Sequence, residues 1–119
     1  MSVYFKSGES VLWNPTLTVG LLYHDAVSSA ASTFEMDAGL GALQADEADL
    51  DLERFRSFIG ALVDIYIRST HPVLRVQLPP VILPGIVMLE RGGQALVADN
   101  PETSLILQAA SHLGQSMST

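Results

Sequence analysis

The chain contains no cysteine, which rules out disulfides, thiolate metal sites and a cysteine nucleophile. It is also poor in positive charge: six Lys and Arg stand against thirteen Asp and Glu, for a formal charge of −7. Binding a phosphate backbone depends on clustered cations, so no nucleic-acid partner is expected. Catalytic signatures are missing as well. No serine sits in a Gly-x-Ser-x-Gly elbow, no glycine-rich phosphate loop occurs, and no His-x-x-x-His or His-Glu pair is present. The histidines at 24, 71 and 112 fall on separate stretches, so neither a metal nor a cofactor is expected. The opening MSVYFKSGES has no basic n-region and no apolar h-region, which predicts a cytoplasmic location. The longest apolar window, 72–89, is broken by Arg75, Gln77 and the prolines at 79, 80 and 84, so no membrane span is expected.

What the chain does have is apolar material. Hydrophobic residues make up 48% of the sequence and charged residues only 16%, against a usual quarter or so. A chain of 119 residues reads as one domain over 1–119, able to bury about two-thirds of the surface that its unfolded form exposes. The tail from about 115 to 119 is polar and is expected to be disordered. The apolar excess predicts a homo-oligomer, a ligand cavity, or both.

Periodicity divides the chain into elements. Residues 2–13 read as a hairpin, with Val3, Phe5, Val11 and Trp13 alternating and Lys6 to Glu9 turning. Asn14 as N-cap and Pro15 at the first helical position predict a helix over 15–36, with Val19, Leu22, Tyr23, Ala26, Ala30 and Phe34 on its apolar face. The small residues at 26–32 suit close approach by another helix, expected to be the second. That second helix, about 52–69, carries the clearest stripe: Leu52, Phe55, Phe58, Ile59, Leu62, Ile65 and Tyr66. It is expected at the centre of the core, capped by Asp49 or Asp51. Beyond it, the prolines leave two solutions. Either a helical turn over 72–78 is followed by a kink and a short helix from Pro84 to Glu90, or Val73 to Gln77 forms a strand; the first is favoured. A short strand is expected at 95–98. Asn100-Pro101 then starts a last helix to 113 that packs Leu105, Ile106, Ala109 and Leu113. The resulting fold class is mostly α, a small helical bundle with an N-terminal β-hairpin.

Residues that could carry chemistry are few. Trp13 and Tyr23, with Tyr66 opposite them, could line an apolar cavity, although core packing is the ordinary fate of such rings. His24 and Asp25 point about 100° apart on a helix and do not make a base with its orienter. His71 stands at the end of the second helix, where an imidazolium can satisfy terminal carbonyls. Glu90 and Arg91 read as solvated charges ending a helix. Seven of the thirteen acidic residues lie between Glu35 and Glu53 with no basic residue among them. The alternation of 47, 49, 51 and 53 resembles a calcium loop, but the glycine of the sharp turn and the closing glutamate are absent. An acidic face meeting a basic protein is the expectation instead, and the alternation suits an extended segment with its leucines inward.

Tyr4-Phe5, Gly8-Glu9, Leu12-Trp13-Asn14-Pro15, Ala45-Asp46-Glu47, Phe55 with Phe58, Ala61-Leu62, Tyr66, and Ser69 with His71 resemble a family of small actinobacterial proteins known only as a domain of unknown function. The resemblance spans about residues 3–93 and implies a compact helical domain without an assigned activity. It implies an uninterrupted helix where Pro79, Pro80 and Pro84 stand, and makes the last helix an addition. Two functional readings remain. One is a non-enzymatic acidic binding protein, immunity-like or accessory, whose partner is a basic protein or an apolar small molecule. The other is a cofactor-free isomerase or cyclase with an apolar substrate against Trp13, Tyr23 and Tyr66, and Asp46, Glu47 or His71 as proton carriers.

Overall fold

The N-terminal hairpin forms with a shorter turn than expected: β1 (Tyr4–Ser7) takes in Lys6 and Ser7 and pairs antiparallel with β2 (Ser10–Trp13) across Gly8-Glu9, with Gly8 at φ +59°. A computed structural model describes all residues 1–119. Phe5 pairs with Trp13 but Lys6 pairs with Val11, so Leu12 is an extra residue in a bulge. The bulge lets two consecutive residues, Leu12 and Trp13, both reach the core.

A third strand changes the fold class. β3 (Glu47–Asp49) lies parallel to β1, pairing Tyr4 with Glu47 and Lys6 with Asp49, in the order β2-β1-β3. The protein is therefore α+β, a mixed three-stranded sheet packed with helices, and not a helical bundle carrying a hairpin. Two extended strands leave exposed edges, and the acidic alternation supplied the partner for one of them. Ala48 and Leu50 point inward while Glu47 and Asp49 stay in water, the two-residue period of a half-buried strand.

The helices are α1 (Leu17–Thr33), α2 (Leu52–Arg68), α3 (Pro72–Gln77), α4 (Pro79–Arg91) and α5 (Pro101–Gly114). Asn14 does not cap α1: Thr16 takes that position, and the Asn14 side-chain oxygen is buried without a partner. On α1 the buried residues are Gly20, Tyr23 and Val27, whereas Val19 and Leu22 face solvent. The helix it packs against is α4, not α2. Asp51 caps α2 through the N–H of Arg54, and Phe55, Phe58, Ile59 and Leu62 are buried on its stripe.

The centre of the core is α4. It touches α1, α2, α3, α5 and β2, and Val81, Ile82 and Gly85 to Leu89 are buried along it. The helical path over 72–78 holds in place of a strand, but the next helix starts at Pro79 and not at Pro84, which lies inside it. Pro79 and Pro80 fit a first turn, where N–H groups lack helical partners, and Pro84 leaves only the Pro80 carbonyl without its helical donor. Pro72–Arg91 as a whole is long and apolar enough to cross a bilayer, by length and composition alone. Its apolar α4 part is here the core of the fold. At Gly85 a Cβ would meet the Ile59 Cδ1 at 2.5 Å and the Tyr23 hydroxyl at 3.1 Å, which shows how closely α1 and α2 approach α4.

Three expectations for the C-terminal region are corrected. Residues 95–98 form no strand. On α5, which Asn100 caps through the N–H of Thr103, the buried residues are Thr103 and Ala110; Ile106 and Leu113 pack against the core as expected, while Leu105, 63% exposed, and Ala109 do not. The tail, expected to be free, makes contacts with the fold: Met117 is buried, the Asn14 N–H donates to the Ser118 carbonyl, and Arg91 donates to the Met117 carbonyl. The Arg91 guanidinium donates to the carbonyls of Leu12 at 2.8 Å, Gly114 at 3.1 Å and Met117 at 2.7 Å. It ties the bulge of β2 to the end of the chain, a structural task in place of the solvated charge expected.

Candidate functional site

An apolar cleft of about 330 Å³ opens where α2, α3, α4 and α5 meet. Ile82, almost fully buried, lies at the α4 wall beside Pro79 and Leu83. Leu105, Ile106 and Ala109 come from α5, where Ala109 stands one turn beyond the other two on the same side of the helix. The exposure of Leu105 is explained by this position: it borders open space.

The polar groups of the cleft are Tyr66, Arg75 and Glu102. Tyr66 ends the stripe of α2, and the guanidinium of Arg75 lies over its ring, 4.2 Å from the centroid. Arg75 Nη1 donates to the carbonyls of Tyr66 at 2.7 Å and Ser69 at 3.1 Å, capping the C-terminal end of α2 with a cation. Its Nε and Nη2 have no protein acceptor. Arg75 makes no ion pair; the four in the protein are Lys6–Glu47, Arg54–Asp37, Arg54–Asp51 and Arg68–Asp64. Glu102, in the first turn of α5, is exposed and lies beyond ion-pair distance of Arg75.

The residues singled out from sequence do not converge here. Trp13 and Tyr23 meet Phe5 in the core, with Phe5 and Trp13 stacked at 5.5 Å and Tyr23 edge-on to Trp13 at 5.4 Å. The Tyr23 hydroxyl donates to the Val81 carbonyl at 2.8 Å, and burial pushes the phenol pKa far above its ordinary value. These two rings fill space and line no cleft with Tyr66, which alone of the three borders one. Asp46 and Glu47 lie at the end of the sheet. Ala45 and Asp46, at φ +50° and +63°, form a two-residue turn closed by reciprocal hydrogen bonds between Gln44 and Glu47. Glu47 pairs with Lys6 at 3.5 Å.

His71 caps α3, not α2: its Nδ1 accepts the N–H of Leu74 at 3.4 Å, so the ring acts as an acceptor at a helix start. His24 donates from Nε2 to the Gly41 carbonyl at 2.8 Å and ties α1 to the segment that leads into β3. The acidic segment 35–53 finds counter-ions outside its expected isolation, in Lys6 and in Arg54 just beyond it. No group of three His, Asp or Glu side chains is placed to hold a metal ion.

Reading by pattern passed over Arg75 and Leu105 as site residues. The signal for Arg75 is a lone cation inside an apolar, proline-rich stretch. The profile of a family of unknown function, DUF6086, matches residues 1–119. The chain belongs to that family. The match runs through α5, so the last helix is no addition to it. No curated protein and no solved structure matches the chain.

Proposed function

We propose that this protein is a non-enzymatic binding module that takes an apolar ligand in the cleft between α2, α3, α4 and α5. The observation that carries this reading is the cleft itself, an apolar surface of ligand size that the fold leaves open beside a guanidinium without a carboxylate. Cavities of about 300 Å³ and more with few polar groups are typical small-molecule sites. Support also comes from where the candidate proton carriers lie. Asp46, Glu47 and His71 do not border this cleft, and the last is engaged in a helix cap. The one carboxylate at the cleft, Glu102, is exposed in the first turn of α5.

The test uses 1-octanol as a neutral apolar probe, followed by amide chemical shifts in the full chain. Shifts are expected at Tyr66, Leu105 and Ile106. Ala109 is exposed at the cleft, so Ala109→Phe fills it without displacing the core, and the shifts should disappear in that variant. Perturbations spread elsewhere, or persisting in Ala109→Phe, would reject the cleft as the binding site.

A further inference from the structure

We infer that the ligand of this cleft is a free amphiphilic carboxylate, an apolar chain of about eight carbons whose head group lies on Arg75. The inference rests on the cleft being a binding site and adds the chemical class of what binds. Three features of the site carry it, and each limits a different property of the ligand.

The head group follows from which donors of Arg75 are used. Nη1 is committed to the carbonyls of Tyr66 and Ser69. Nε and Nη2 remain, and these two N–H groups run parallel along one edge of the guanidinium, the fork that takes both oxygens of a carboxylate. The guanidinium is already held by its two hydrogen bonds and by its place over the Tyr66 ring, 4.2 Å from the centroid, so little side-chain freedom remains to be lost on binding. Lysine at this position would present a point charge without the fork. Charge complementarity points the same way: in a chain of net charge −7, a half-buried cation beside an apolar cleft has no carboxylate of the protein's own.

The body follows from the walls. Ile82, Leu83, Leu105 and Ile106 offer apolar contact and no further hydrogen-bonding side chain. The volume gives the size class: 330 Å³ at about 30 Å³ for each water-sized group admits about eleven non-hydrogen atoms, and octanoate, with ten, is a probe of that size. Glu102 is the opposing feature. It is exposed at the first turn of α5, where solvent screens it and the positive helix end offsets it, whereas the Arg75 cation is half-buried. Arg75 therefore sets the sign of the ligand.

The experiment compares octanoate, 1-octanol, octylamine and N-acetylleucine on the full chain by calorimetry and by the amide shifts of Tyr66, Leu105 and Ile106. Octanoate is expected to bind at least tenfold more tightly than 1-octanol and octylamine. Arg75→Gln should remove the advantage over 1-octanol, and Arg75→Lys should restore it only in part, since the charge returns without the fork. Because Arg75 also caps α2, the four ligands on the unaltered protein decide the matter even if the variants misfold. Equal binding of octanoate and 1-octanol at the cleft overturns the carboxylate assignment and leaves the cleft reading standing. Tighter binding of octylamine gives the site to Glu102, and tighter binding of N-acetylleucine gives it to a peptide C-terminus; either result overturns the proposal. No shift at the cleft with any ligand removes both readings.

Discussion

Replacing Tyr23 by Phe isolates one buried hydrogen bond and one buried titration in a single change. The ring stays within the Phe5 and Trp13 cluster, and only the hydroxyl that donates to the Val81 carbonyl at 2.8 Å is lost. A typical intramolecular hydrogen bond contributes about 1 kcal/mol net. The Val81 carbonyl is not orphaned, because in a helix it also faces the N–H four residues on, that of Gly85. Tyr23→Phe should therefore cost about 1 kcal/mol at pH 7, a fall of about 3–5 °C in Tm for a chain of this size.

Alkaline pH reverses the order. Burial raises the phenol pKa in the folded state above the ordinary value of about 10, so above that pH the unfolded chain releases a proton that the folded chain keeps. The folded protein then binds more protons than the unfolded one, and stability falls as pH rises. The loss approaches about 1.4 kcal/mol per pH unit and is absent from the Phe variant. The two stability curves should cross near pH 10.5–11, with the variant about 1 kcal/mol more stable at pH 11.5. Urea unfolding followed by the fluorescence of the single tryptophan, buried beside Tyr23, reads this directly. Curves that stay parallel from pH 8 to pH 11.5 would refute the argument.

Leu62 is fully buried on α2, and Leu62→Ala should cost about 2–5 kcal/mol in urea unfolding; a loss under about 0.5 kcal/mol would remove α2 from the core. Arg91→Ala should release the tail, raising hydrogen exchange at the Asn14 amide, and lower stability by about 1–3 kcal/mol for the charged donor removed. Unchanged exchange at Asn14 would show that the tail does not depend on Arg91. Ala45→Asn should raise stability by about 0.5–1 kcal/mol, because Asn tolerates the left-handed backbone that Ala45 adopts at φ +50°. A loss of stability in thermal unfolding would contradict the assignment of that turn.

Local pattern determined much of the architecture. The two-residue alternation of Phe5, Val11 and Trp13 specified the hairpin, the Phe55 to Leu62 stripe specified α2, and Asn100-Pro101 specified the start of α5. In each case the information lies within a few residues, since periodicity, capping and proline geometry act over one or two turns. The alternation of Ala48 and Leu50 with carboxylates announced an extended segment in the same way, but not its partner. Which strand receives it depends on Tyr4 to Lys6, more than forty residues earlier, and nothing local encodes a parallel pairing at that distance.

Only tertiary structure decided the rest, for the same physical reason. Asn14 and Pro15 form a sound helix start by themselves, yet the chain uses Asn14 to hold Ser118, and the cap passes to Thr16. The apolar run after Pro79 could not be ranked above α2 from composition, because centrality is a matter of how many other elements reach a helix. Trp13, Tyr23 and Tyr66 share a residue class, and only packing separates two rings that close the core from one that borders open space. Arg75 and Arg91 are chemically identical in the sequence. Arg91 meets three backbone carbonyls brought to it from two places, and Arg75 keeps a free edge beside a cleft, because side-chain function depends on which groups distant parts of the chain bring within about 3 Å.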